Sequence, residues 1–471
     1  MGVMRLMGVM GPVMRLIRPM HHMRHTLLRL IITTIAVTLS LAVSRSASTT
    51  AVASPEIPGA TQTRTIALVG GTIHPVSGPA MEGGTLLFAE GRIVAVGRDI
   101  EIPENADRID ISGRHVYPAL FDADSNIGLT EISAVRATRD EAETGRINPN
   151  VRAQVAFNPD SELIPVTRSN GVLLSLTAPG GGLISGRSAV MMLDGWTWED
   201  MALRGDVGMH VEWPRMTPLV DWESQPPAER QSQGRDQALD ELRRAFADAR
   251  AYHQARRASP ERHDPDVRWE AMRPVLEGEM PLIVSADEIQ QIQSAVAFAQ
   301  QEKVKLIILG GYDAPLCAEL LKANEVPVIV GGTYRLPMRR DDPYDAPFTV
   351  PERLRAAGIP YCIAGAGRFG ASNARNLPYH AAMAAAFGLP ADEALKAITL
   401  YPAQILGVAD RVGSLEEGKD ATLIITDGDP LETPTQVLDA YVEGRRVDLS
   451  DRHKRLWKKY EEKYRRQREA R

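Results

Sequence analysis

Cysteine is nearly absent from this chain: its 471 residues include only Cys317 and Cys362. At most one bridge is available, so no disulfide framework can hold the fold. Each cysteine lies within an apolar element, and two separate buried thiols are expected. Histidine is scarce where it would matter. Of ten, His21, His22 and His25 fall near the start, and His74, His115, His210, His253, His263, His380 and His453 form neither His-x-His nor His-x-x-x-His. Compact zinc motifs are thereby excluded. No Gly-x-Ser-x-Gly elbow exists for a serine hydrolase, and Cys362 has no identifiable histidine partner. Gly413–Asp420 has the spacing of a phosphate loop, but Asp420 replaces the hydroxyl residue, two glutamates would face the phosphates, and a strand follows. It reads as a turn, as does Gly180-Gly181-Gly182, which has no lysine after it. The formal net charge of −6 gives no hint of nucleic-acid binding.

What is present points to an exported α/β protein. With 44% hydrophobic residues, the chain can bury one barrel-sized core and a smaller companion. Residues 1–53 carry six arginines and no acidic residue, then the apolar run Leu30–Val43, then the small residues Ala51-Val52-Ala53. Basic, apolar and small-residue regions in that order predict a signal peptide. The apolar run is shorter than the roughly 20 residues a bilayer core requires, so the processed chain is not expected to span a membrane. Met23 makes a more ordinary start than Met1. Removal of the leader takes the net charge to about −12.

Short alternating strands over 64–112 suggest one part of a small β-sandwich, and 411–447 the other. Between them, 113–410 alternates apolar runs (Val116–Phe121, Val172–Leu176, Pro281–Val284, Val304–Leu309, Val326–Val330, Tyr361–Ile363) with helical stretches, which predicts a parallel sheet covered by helices. Residues 197–275, rich in Trp, Pro and charge, read as an insertion over one face. Its Trp198, Trp213 and Trp222, with Trp196 before it, either line a pocket or pack the insertion. The tail 448–471 is basic, and Trp457, Tyr460 and Tyr464 recur at helical spacing. It is read as a terminal helix packed by its aromatic stripe, with another subunit or an anionic surface as further docking sites.

Three segments carry a family likeness: GRHVYPALFDADSN (113–126), SNGVLLSLTAPGGGLISG (169–186) and ALKAITLYPAQILGVADRVGSLEEGKDATLIITDGDPL (394–431). With the strand order between them, they make residues 64–447 resemble the amidohydrolase superfamily, in particular its imidazolonepropionase-like branch. That resemblance implies a (β/α)8 TIM-type barrel with a discontinuous β-sandwich. It also implies a metal that activates water to cleave a C–N bond in a cyclic amide or peptide-like small molecule.

In the family, the first strand ends in His-x-His, later strands add one His each, and the eighth adds an Asp. Here the first pair falls on Asp124 and Asn126, the fifth-strand ligand on Ser285, the sixth on Gly310 and the eighth on Ala366. Asp124 alone is a respectable ligand, so no cofactor is expected. The alternative is one divalent metal held by carboxylates such as Asp122, Asp124 and Asp287, with His380 a further pocket residue. The favoured expectation is a non-catalytic amidohydrolase-like protein that binds a small molecule at the barrel mouth, self-associates or pairs with an active relative. The alternative is a hydrolase with an altered centre.

Overall fold

The computed structural model describes residues 57–219, 225–365 and 370–470. The predicted leader 1–53, the Met23 start, Trp222 and Ala366 lie outside these residues.

The two ends of the described chain build one sheet together. Strands β1 (Ile66–Ile73), β2 (Met81–Ala89), β3 (Arg92–Gly97), β4 (Asp107–Asp110) and β5 (His115–Pro118) come from the first part. From the last come β16 (Leu423–Thr426), β17 (Val437–Val442) and β18 (Arg445–Arg446), and the path runs β18-β17-β16-β5-β1-β2-β3, with β4 beside β1. The seam is the antiparallel β5–β16 ladder, Leu423 opposite Pro118 through Thr426 opposite His115. Apolar residues from both ends, including Leu68, Phe88, Val116, Leu423 and Tyr441, close one core there. By hydrogen bonding this is a single eight-stranded sheet rather than two stacked ones. It also extends past the expected boundary at 112, because β5 belongs to it.

The body has two further sheets. One runs β10-β9-β7-β6 and the other β15-β14-β13-β12-β11-β8. Their members are β6 (Leu120–Ser125), β7 (Val172–Thr177), β8 (Ile184–Arg187), β9 (Ala189–Met192), β10 (Ala202–Arg204), β11 (Met209–Glu212), β12 (Leu282–Ala286), β13 (Leu306–Gly310), β14 (Val328–Val330) and β15 (Tyr361–Ile363). From β11 to β15 every neighbour is parallel. Every residue of β7 is buried, as expected of a strand covered on both faces. Covering helices include Ile289–Glu302, whose capping box joins Glu288 and Gln291.

Two features depart from an all-parallel barrel. β8 and β9, separated only by Ser188, run antiparallel to β11 and β7 respectively and so link the two sheets. The reason is loop length: Ala178–Leu183 connects β7 to β8, whereas a parallel return needs a crossover of a dozen or more residues. Gly181 and Gly182 turn the chain there at φ of 79° and 72°. Second, no ladder joins β15 to β6 among the described residues; instead Asp122 Oδ1 accepts the Gly365 N–H at 2.9 Å.

The supposed insertion 197–275 is corrected by β11, which comes from it and pairs with β12 inside the six-stranded sheet. What remains is largely the helix Ala228–Ala258, which buries Ala238, Leu242, Ala245, Phe246 and Ala249 along one stripe. Cys317 and Cys362 are free and buried, as expected. The tail forms a helix, Arg452–Glu469, but buries none of its residues, contrary to the packed stripe expected. Among the described residues, no helix is long and apolar enough to cross a membrane.

Candidate functional site at the strand ends

Residues at the C-terminal ends of β6, β11, β12 and β13 open into two adjoining hollows. The larger, about 750 Å³, is lined by Asp124, Glu212, Ser285, Asp287 and Gly310 on its inner side and by Tyr334 and Arg335 among others further out. The smaller, about 210 Å³, shares Asp124, Glu212 and Ser285 and adds Asn126, Glu141 and His210. Strand alternation explains much of this: on β11, Met209, Val211 and the following Trp213 are buried apolar residues, while Glu212 opens towards solvent.

The floor is acidic and has few partners. The Asp124 carboxylate has no hydrogen-bond partner among the described residues, and burial followed by the Glu212 charge pushes its pKa up to about 7. Asp122 is fully buried beneath it. Its Oδ1 accepts from Gly365 and, at 3.3 Å, from the Asp124 N–H, while Oδ2 has no partner among the described residues. Burial, with a contribution from Asp124, raises Asp122 to about 7 as well. Glu212 is raised by desolvation; a hydrogen bond from the Ser285 hydroxyl pulls it back and the Asp287 charge raises it.

The outer wall is acidic too, but paired. Arg335 grips Asp287 through two bonds of 3.2 and 3.1 Å, and the Tyr312 N–H adds a third at 3.2 Å. Arg339 holds Asp313 and Asp342, and Tyr312 Oη donates to Asp342 at 2.8 Å. Arg215 pairs with Glu288.

Of the residues expected from sequence, Asp124, Asn126, Ser285, Gly310 and Asp287 line the hollows. Asn126 is committed, donating to Glu141 at 2.6 Å and Thr130 at 3.1 Å while accepting from the Ala371 N–H at 2.8 Å. His380 does not line them. Its Nδ1 accepts the N–H groups of Thr333 at 3.0 Å and Tyr334 at 3.2 Å, and burial lowers its pKa to about 4, so it is a neutral anchor for the loop that carries Tyr334. Trp213 both lines the larger hollow and packs edge-on against Phe298, whereas Trp196 is exposed.

Among the lining residues that escaped the sequence reading, which include Glu141, Tyr334 and Arg335, two share one cause, His210 and Glu212. Both sit on β11, inside the stretch read as an insertion; the alternation Met209-His210-Val211-Glu212-Trp213 was the available signal. His210 is buried, its Nε2 lacks a partner among the described residues, and burial lowers its pKa to about 4.

Gly310 offers no side chain and sits at φ +100°, where a Cβ would meet Asp287 Oδ1 at 2.8 Å. Asp287 is spent on Arg335. Among the described residues, no group of three or more His, Cys, Asp or Glu side chains is arranged to hold a metal ion.

With this geometry in view, the likeness to known proteins takes shape. Residues 350–447 match the amidohydrolase family. The chain is similar to amidohydrolase tasK of Hapsidospora irregularis, 25% identical over 414 residues, which cover 77% of this chain and 39% of that protein. It is also similar to imidazolonepropionase of Mesorhizobium japonicum, 28% identical over 181 residues, covering 38% of this chain and 40% of that protein. The matched segments thus span about two fifths of the length of these curated relatives. Among solved structures, an amidohydrolase from Thermotoga maritima superposes with a TM-score of 0.72 at 24% identity, covering 81% of this chain and 99% of that one. A Xaa-Pro dipeptidase superposes with a TM-score of 0.51 at 14% identity, covering 82% of this chain and 100% of that one. The chain therefore has an α/β fold like that of solved amidohydrolases, carries a match to the amidohydrolase family over residues 350–447, and has imidazolonepropionases among its low-identity relatives.

Proposed function

We propose that this is an amidohydrolase-like protein whose strand-end cavity receives a small molecule without the metal centre of its relatives. Gly310 carries the argument. At the position matched to the sixth-strand ligand its positive φ strains any side chain, and a Cβ there would meet Asp287 Oδ1 at 2.8 Å. The Asp287–Arg335 pair fills that corner instead. In this reading the arc from β6 to β15 is a TIM-type barrel, modified by its antiparallel third segment, and the eight-stranded sheet is the composite domain.

The test is metal content after equilibration with zinc, manganese and magnesium. The expected result is substoichiometric metal and a thermal midpoint that neither chelator nor added metal moves. Stoichiometric metal that is lost in Asp124→Ala would overturn the reading.

A second reading rests on Asp124 and Glu212 facing one cavity with raised pKa values. A protonated and an ionised carboxyl together can serve as acid and base, here for hydrolysis of a C–N bond in a cyclic amide or peptide-like molecule. Turnover of such a panel by the metal-free protein, abolished in Asp124→Asn, supports it; no turnover removes it. We read residues 1–53 as an export signal, which N-terminal sequencing of the secreted protein tests through a start at Ser54. Self-association or pairing with an active relative is tested by co-purification from the native host.

A further inference from the structure

The tail helix Arg452–Glu469 is the least explained element of the molecule. It is capped by Asp451, whose carboxylate accepts from the His453 N–H at 2.6 Å and the Lys454 N–H at 2.9 Å, and Arg455 ties it to Glu162 at 3.2 Å. Beyond that first turn its aromatic residues face solvent: Trp457 is 62% exposed, Tyr460 49% and Tyr464 54%. At 3.6 residues per turn these three fall within an arc of about 60°. Exposed aromatic surface of this kind is costly unless something covers it.

Charge identifies what does. The helix carries nine Lys or Arg against Glu461, Glu462 and Glu469. Glu462 and Glu469 are engaged by Arg465 and Arg466. Arg452, Lys458, Lys459, Lys463 and Arg468 have no ion-pair partner among the described residues. Lys463 leans over Tyr460 and Tyr464, with Nζ 5.8 and 5.6 Å from the ring centres. On the helical wheel, Arg452 and Lys463 flank one side of the aromatic arc, and Arg468 and Lys454, with Glu461 between them, the other. Rings with polar edges, bordered on both sides by long cationic side chains, match an anionic lipid interface: the rings sit at headgroup depth and the cations reach the phosphates.

We infer that this helix docks the protein peripherally on anionic membrane surfaces, lying in the interface without crossing it. The test compares the full chain with Trp457→Ala/Tyr460→Ala/Tyr464→Ala and with Arg452→Gln/Lys463→Gln/Arg468→Gln by co-sedimentation with vesicles. One set is phosphatidylcholine alone; the other contains about 30 mol% phosphatidylglycerol. Because all three proteins share the same apolar run near their start, any difference between them reports the helix. The wild-type chain is expected to partition about tenfold more strongly to the anionic vesicles, and each triple variant to lose most of that gain, as does high salt. Equal retention of wild-type and variant chains overturns the inference. So does concentration-dependent self-association that disappears with the aromatic residues while vesicle binding is absent, since the occupant would then be a second copy.

Discussion

Two sets of carboxylates stand in and around one cavity, and they are treated oppositely. On the outer wall, Asp287 is clamped by Arg335, and Asp313 and Asp342 behind it are clamped by Arg339. On the floor, Asp124 and Glu212 line the cavity and Asp122 is buried next to Asp124, with no cation paired to any of them among the described residues. The wall is built for shape: its charges are satisfied and fix loops. The floor keeps an unmet demand for a proton or a bound group.

The sharpest way to break this contrast is to place a histidine at Gly310. Gly310→His forces a side chain into positive φ and into Asp287, and is expected to cost about 3 kcal/mol or more without creating a metal site. Denaturant unfolding with and without zinc measures it; an unchanged midpoint with tight zinc binding would mean that the corner is still a ligand position.

Next in size is the pH dependence of the floor. Asp122 and Asp124 have folded pKa values near 7, above the usual carboxylate range. The folded state therefore holds protons that the unfolded chain has released, and stability from these groups, full below about pH 4, is lost as pH rises towards and past 7. For Asp122 the loss is on the order of 4 kcal/mol. Asp122→Asn keeps the acceptor for Gly365 and is expected to flatten the decline between pH 5 and 8. A wild-type unfolding free energy that rises over that range would refute it.

Arg335→Met leaves Asp287 half-buried and unpaired, with an expected cost of about 1–2 kcal/mol in chemical denaturation. If removal of Arg335 proved neutral, the wall would not differ from the floor. The smallest effect belongs to the tail: Trp457→Ala should leave stability within about 0.5 kcal/mol of wild type by thermal melting, because the ring touches little.

The sequence exposed what repeats and concealed what is brief. β7, β12 and β13 are apolar runs bounded by turns, and the paired ends of the outer sheet share one alternating character, so those strands could be placed in advance. Asp124 was found because the family's first metal-binding pair falls on it, and Asp287 as a carboxylate that could join it around a divalent metal. β11 is four residues long, MHVE, flanked by Pro, Trp and charge, and its period of two was submerged by that setting. Glu212 and His210 went with it. The antiparallel segment escaped for another reason: strand direction depends on the length of the loop at Ala178–Leu183, whereas the family likeness carried a parallel order with it. The clamp of Arg335 on Asp287 spans 48 positions and has no local sequence signature.

The seam between β5 and β16 has a consequence for how this molecule is made. Pro118 and Leu423 are ladder partners separated by about 300 residues. During synthesis β5 emerges early and keeps one edge unpaired until nearly the whole body has followed. Long-range closure of this kind slows folding, and an unpaired edge is a template for the wrong strand. The last step of assembly is thus the closing of the outer sheet, and a chain truncated before Leu423 would leave both β5 and the apolar faces of β1 and β2 open to association.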